Sequence, residues 1–308
     1  MMKELFVVLA SVLPNFIKIP LYRLIGYKIG RMVKINFLTI ILGNKVNIGD
    51  NVKIGPLNIF KLKNLEIGEN SVVRGLNMFI GPNSLKLGKR VQIVGPYTFM
   101  NLAEDIELDN ECGIGSHSIF YTHGVYLPYT EGHPRKFDKI YLGERVWSPT
   151  NVTFLPGVNV EKDSIISAGS VVNRSFPENS FISGNPAKRI SKASFLKRVV
   201  TPKVYTERKN KIIKDFISKN VISGAKIDDR RDRLVVESNK GRYLIKQHMG
   251  KWDLNSDNYK EVILLGENLS SGSRNVSLFD LKKRKKKVNG KLGRQFLEHL
   301  ETYGEYFI

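Results

Sequence analysis

Residues 48–79 read IGDNVKIGPLNIFKLKNLEIGENSVVRGLNMF, and apolar residues recur in this stretch at steps of six: Ile48, Ile54 and Phe60, then Ile67, Val73 and Phe79. The step continues in both directions, with Ile29, Ile35 and Ile41 before it and Leu87, Ile93 and Phe99 after it. Leu108, Ile114 and Phe120 follow, then Leu142, Ser148 and Phe154, then Val160, Ile166 and Val172. A period of six matches neither the 3.6 of a helix nor the alternation of a plain strand, but it suits short strands joined by tight corners. Three such strands make one coil of a three-sided solenoid. Phe60, Phe79, Phe99, Phe120 and Phe154 are then expected to stack as one interior ladder. The opening residue of a triplet is usually followed by glycine, as in Ile48-Gly49, Leu87-Gly88 and Leu142-Gly143. The expected reason is a positive φ at a sharp corner.

Between triplets the chain advances 7, 8, 9 and 6 residues, but 22 from Phe120 to Leu142. The excess, YTHGVYLPYTEGHPRKFDK at 121–139, carries His123, Glu131, His133, Arg135 and Asp138 on an otherwise regular frame. Long loops on rigid scaffolds are common places for chemistry.

After the repeat, residues 140–190 read IYLGERVWSPTNVTFLPGVNVEKDSIISAGSVVNRSFPENSFISGNPAKRI. This run and the repeat together resemble the hexapeptide-repeat acyltransferases, in particular the maltose and galactoside O-acetyltransferase branch, over about residues 29–190. The resemblance implies a mainly β protein built on a left-handed parallel β-helix. It also implies acetyl-coenzyme A as co-substrate, a homotrimer with sites between subunits, and a saccharide acceptor. In that family a Thr-His at this place supplies the general base, which maps onto Thr122-His123. His133, in Gly132-His133-Pro134, is a rival base by its motif, but it lies ten residues further into the loop and reads better as an acceptor contact. Trp147, Thr150, Ala168 and Gly169 match the groove for the pantetheine arm, and Asn185, Lys188 and Arg189 match the nucleotide end, with Arg174 nearby. Asn101, Glu131, His133 and Arg135 are the acceptor-side candidates. Asn101 is placed to steady either the acceptor or the histidine.

The chain departs from the family at Val146-Trp147-Ser148-Pro149, where Val-Trp-Ile-Gly is usual. Pro149 lacks an amide donor, which moves the expected oxyanion donor to a neighbour such as Thr150. Ser148 puts a hydroxyl at an inward position, a cost unless it finds a partner. A zinc site of the γ-carbonic anhydrase type is disfavoured, because His117 and His123 are six apart and so fall on successive faces, and no earlier histidine supplies a third ligand.

The 308 residues are 42% apolar and carry 49 basic against 29 acidic side chains, a formal +20. This excludes an acidic solvating protein and favours polyanionic partners. The single cysteine, Cys112, excludes an intramolecular disulfide and a Cys-only metal cluster, which fits a reducing, cytoplasmic setting. Residues 1–28 form an N-terminal amphipathic or capping segment. Their apolar run, Leu5 to Leu13, is too short to span a bilayer and is cut by Pro14, Lys18 and Pro20.

Residues 195–308 change rhythm and read as a basic α+β domain, +12 against +8 in the remainder. Helices are expected at Lys203–Asn220 and Lys291–Tyr303. Strand is expected through Arg233–Gln247, at Lys260–Gly266 and at Val276–Leu281. The six bases Lys282 to Lys287 admit peripheral contact with an anionic membrane, whereas nucleic acid is disfavoured because no reading motif accompanies them.

Three activities therefore stand open. The first is O-acetyl transfer to a saccharide, in the setting of bacterial surface polysaccharide. The second is N-acyl transfer to a nucleotide-linked amino sugar, and the third a non-catalytic scaffold at an anionic membrane.

Overall fold

The structure, a computed structural model, describes residues 2–125, 127–196, 200–219, 226–230, 233–238, 241–251, 261–270, 276–281, 285–288 and 290–301. Contacts divide the chain into two units, Met1–Arg198 and Val199–Ile308.

In the first unit, three parallel sheets of short strands form the sides of a β-solenoid. One complete coil is Asn64–Ile67, Val72–Val73 and Met78–Ile80, each strand pairing in parallel with its counterpart one coil on. The coil length follows from what the sides bury. Ile48, Ile67, Leu87 and Leu108 point inward from the first face, Ile54, Val73, Ile93 and Ile114 from the second. The third face supplies Ile41, Phe60, Phe79, Met100, Phe120, Phe154 and Val172, all buried. Phe60 and Phe79 have ring centroids 4.6 Å apart, and Phe120 and Phe154 stack at 4.4 Å.

The ladder corrects the sequence reading at one rung. Met100, not Phe99, aligns with Phe79 and Phe120, because Gly95-Pro96-Tyr97 adds one residue to the preceding corner and shifts the register. Phe99 faces outward and meets the Tyr121 ring edge-on at 6.0 Å. The repeat glycines also serve a different purpose from the one expected. Positive φ belongs mainly to non-glycine corner residues, including Asn51, Asn70, Arg90 and Arg145. The glycines answer to spacing between coils: an ideal Cβ on Gly49, Gly88 or Gly143 would lie 2.7 Å from a backbone nitrogen of the next coil.

A polar column also runs inside the prism. Asn58 Oδ1 accepts from the Asn77 amide nitrogen at 3.0 Å, and Asn77 Oδ1 accepts from the Thr98 amide at 2.9 Å. Buried amides are tolerated because each satisfies the backbone of the coil above it. Ser148 is the contrary case. Its Oγ is buried between Ile114 and Ile166 with no partner among the described residues. Replacing Ser148 with Ala is therefore expected to raise stability by about 1 kcal/mol, read as a higher melting temperature; an equal loss would mean the hydroxyl is paired.

Helices α1 (Met2–Ser11) and α2 (Asn15–Leu24) close the first coil, whose upper edge would otherwise present unpaired backbone groups. Asn15 Oδ1 accepts from the Ile35 amide at 2.9 Å, Ser11 O accepts from the Leu38 amide at 3.1 Å, and the buried Lys18 Nζ donates to the carbonyls of Ile35 and Asn36 at 3.2 Å. Burial holds the Lys18 ammonium below its ordinary pKa. At the far end, Ser180–Gly184 joins the second sheet, and Ala187–Lys192 folds back antiparallel to it.

The second unit holds helix α3 (Pro202–Lys219), a six-stranded mixed sheet and helix α4 (Gly290–Glu301). Phe216, Ile245, Ile263, Phe279 and Phe296 are in its core. Arg233–Gln247 is not one strand but two antiparallel ones, Arg233–Ser238 against Gly241–Lys251. Two strands unforeseen from sequence, Lys226–Arg230 and Lys285–Lys287, lie at the sheet's edges. In the six-base run, Lys282, Lys283 and Arg284 fall outside the described residues.

Candidate functional site

The long loop leaves the fifth coil at Tyr121 and returns at Ile140. Its base is a short antiparallel ribbon, His123–Val125 against Arg135–Phe137, in which His123 is register-paired with Phe137. The Thr122 hydroxyl ties the ribbon to the previous coil by donating to Asn101 O at 2.8 Å and accepting from the Glu104 amide at 2.9 Å. His123 is half-buried on this edge, its ring 5.6 Å from that of Phe137, and the Arg135 guanidinium lies 4.6 Å from the far ring.

The Asn101 side chain sets the histidine's tautomer. Asn101 Oδ1 lies 3.1 Å from the Ala103 amide nitrogen, a group that can only donate, so the atom there must be the oxygen. The same oxygen is 3.0 Å from His123 Nδ1. An acceptor already fixed as oxygen requires Nδ1 to be the donor, so Nε2 is the nitrogen left to act as a base. Asn101 was foreseen as a candidate. The Ala103 amide that orients it was not, since a backbone donor leaves no mark in the sequence.

Other predicted residues are placed elsewhere on the prism. Trp147 lies half-exposed on the second face, packed against Gly113 so closely that a Cβ there would collide with the indole. Thr150, Ala168 and Gly169 occupy the edge between the second and third faces, where the Gly169 amide donates to Thr150 O at 3.3 Å. Ser116, unforeseen, joins them from the fifth coil, with its Oγ 3.0 Å from Thr150 Oγ1. Along this edge the positive-φ residue becomes small toward the C-terminal coils: Leu57, Leu76, Tyr97, His117, Asn151, then Gly169. At Gly169 φ is +72°, and a Cβ would meet no atom within 4 Å. Gly169 is exposed there, with open space where a side chain would stand. Asn185 sits in the turn after Gly184, and Lys188 and Arg189 are exposed on the returning strand.

The site residues thus fall on two prism edges. His123 and Asn101 share the edge between the third and first faces, while Thr150, Ala168 and Gly169 share the edge between the second and third. His117 is on the latter edge, 5.2 Å from the Tyr97 ring, so the two histidines do not converge. No group of three metal-binding side chains occurs among the described residues. Glu131 and His133 are exposed or half-buried in the loop, 3.8 Å apart. A cleft of about 340 Å³ lies on the first face, lined in part by Glu107, Asp138, Tyr141 and Asn159; His123 is not among its lining residues.

No family model matches the chain. It is 42% identical over 74 residues to the putative acetyltransferase YJL218W of Saccharomyces cerevisiae, covering 21% of this chain and 38% of that protein. It is 32% identical over 108 residues to the galactoside O-acetyltransferase of Lactococcus lactis, covering 32% of this chain and 51% of that protein. With the solenoid, these matches place the likeness. The chain is similar to the hexapeptide-repeat acetyltransferases. It spans between about a third and a half of the length of these two curated relatives. Among solved structures, the polySia-specific acetyltransferase NeuO aligns with 63% of this chain and 93% of its own at 20% identity, with a TM-score of 0.46. Among the described residues no helix is long and apolar enough to cross a membrane.

Proposed function

We propose that this chain is an acetyl-coenzyme A-dependent O-acetyltransferase acting on a saccharide hydroxyl of the kind found in bacterial surface polysaccharides. The observation that carries this reading is the His123–Asn101 pair, in which Asn101 Oδ1, fixed by the Ala103 amide, holds Nδ1 and leaves Nε2 as the nitrogen to act as base on a rigid frame. His123 Nε2 accepts the proton as the sugar oxygen bonds to the thioester carbonyl carbon, and it returns that proton to the sulfur when the C–S bond breaks. No covalent enzyme intermediate is needed, and atoms and charge balance over the two steps. The galactoside O-acetyltransferase relative supports a sugar hydroxyl as the acceptor.

The open space at Gly169, with Ala168 and Thr150 beside it, would admit a pantetheine arm along this edge, where a side chain would obstruct it. Trp147 supplies an apolar surface beside it, while Asn185, Lys188 and Arg189 would meet the nucleotide end, where phosphate seeks donors and positive charge. His123 and Gly169 lie on different edges of one prism. That separation supports a homotrimer in which one subunit's His123 faces a neighbour's Gly169 edge, and a monomer by light scattering would contradict it. Arg135, held over Phe137, would border the acceptor.

Acetyl-coenzyme A should raise the melting temperature of the first transition, by about 2.7 kcal/mol of stabilisation at a hundredfold excess over Kd. The double variant Lys188→Glu/Arg189→Glu should abolish most of that shift. An unchanged melting temperature in the wild type contradicts the reading.

A further inference from the structure

The end of the prism far from Gly169 carries an unusual surface. Helix α1 buries Val7 and Ala10 against the solenoid, yet Leu5 (62% exposed), Val8, Leu9 (62%) and Val12 recur at one-turn spacing on its outer side. Phe16 (77%) and Leu24 (81%) on α2 and Met32 (80%) on the first coil are exposed as well. A helix lying on a protein surface in water normally turns charge outward. The only charged residues of α1 are Lys3 and Glu4, both in its first turn, and Lys3 is directed back to Gly43 O at 2.9 Å.

The charge around this patch is one-sided. Residues 1–63 contain ten basic and two acidic side chains, a net of +8, whereas residues 64–194 contain thirteen of each. In the later coils basic residues meet carboxylates across the ladder, as in Lys86–Glu107, Arg90–Glu111 and Arg145–Asp163. In the first coils Arg31 pairs with Asp50 at 3.2 Å, but the exposed Lys34 is register-paired with Lys53, with Val72 next in line. Like charges directly opposite on neighbouring strands repel. Lys28, Lys45, Lys61 and Lys63 are exposed nearby.

We infer that α1, α2 and the first two coils form a docking surface for an anionic lipid bilayer. The apolar outer side would lie in the interfacial zone and the lysines against the headgroups. Neither helix is long enough to span, so the mode is in-plane binding, which depends jointly on apolar area and on anionic lipid. A second copy is the weaker occupant, because apposing two such ends would bring +8 against +8. Placed this way, the prism presents its N-terminal end to the membrane and leaves the coil that bears Gly169 away from it. The inference does not depend on the acyl-transfer reading.

The test is co-sedimentation of the full chain with phosphatidylcholine vesicles, with or without phosphatidylserine. Binding to the anionic vesicles should be at least about 10-fold stronger and should weaken with added salt. The variants Leu9→Ser/Phe16→Ser and Lys28→Gln/Lys34→Gln/Lys53→Gln alter exposed residues only, and each should reduce binding about 10-fold while the far-ultraviolet circular dichroism and melting temperature stay those of the wild type. Equal binding to both vesicle types overturns the inference. So does binding that survives both variants, or that is lost only in Lys285→Gln/Lys286→Gln/Lys287→Gln. Self-association abolished by Leu9→Ser/Phe16→Ser, without vesicle binding, assigns the patch to a second copy and likewise overturns it.

Discussion

Replacing His123 with Ala should lower kcat for acetyl transfer by 10²- to 10⁴-fold, about the range lost with a general base, while the affinity for acetyl-coenzyme A stays unchanged. The split is expected because a general base acts on the acceptor's proton, whereas the residues proposed to hold the coenzyme lie on another edge of the prism. Asn101→Ala should cost up to about 10²-fold, since it removes only the acceptor that holds the Nδ1 proton and the ring orientation. The assay can follow thiol release directly. Burial pushes the Cys112 thiol up to about 12, so the native protein's one cysteine stays protonated and contributes no signal at neutral pH. A His123→Ala enzyme with near wild-type kcat would remove this residue from the chemistry.

Phe120→Ala should cost about 3–5 kcal/mol, the range for deleting a fully buried aromatic side chain from a core that cannot collapse around the void. Phe120 is stacked on Phe154 and enclosed by rigid coils above and below. Phe99→Ala should cost about 1 kcal/mol or less, because that ring lies on the outer side and makes one edge contact with Tyr121. Urea unfolding read by Trp147 fluorescence in a Trp252→Phe background reports on the solenoid alone. Equal losses for the two substitutions would contradict the observed register.

The contrast between these phenylalanines shows how much of the fold is legible in the chain. The six-residue step is imposed by the side length of the prism, so the inward ladder positions are apolar with Ser148 as the exception, and the pattern survives without long-range information. At Phe99-Met100 both candidates are apolar, and a one-residue insertion at Pro96 decides between them. The corner glycines were visible, but their cause was misread: the limiting factor is the next coil's backbone, a contact nineteen to twenty-two residues away in sequence that only the wound structure brings near. The Asn58–Asn77 column escaped notice for a related reason, as its partners are main-chain amides of the adjoining coil.

The candidate site divides along the same line. His123 stands out because it opens the one long excursion from the repeat. Its tautomer depends on Asn101, twenty-two residues earlier, and on the Ala103 amide, and neither dependence is written in local sequence. The separation of His123 and Gly169 onto two edges follows from counting faces. In the second unit, the strand Lys226–Arg230 was missed because Asp228 and Asp229 interrupt its apolar alternation.

The most direct test of the account is the linkage made in the product. The wild-type chain is given acetyl-coenzyme A and a matched pair of sugars, one hydroxylated and one aminated at the same carbon, and the acetylated product is identified by nuclear magnetic resonance. The account predicts an O-acetyl ester on the hydroxy sugar, lost in His123→Ala. An amide formed only on the amino sugar, or no acetyl transfer to either, would contradict it.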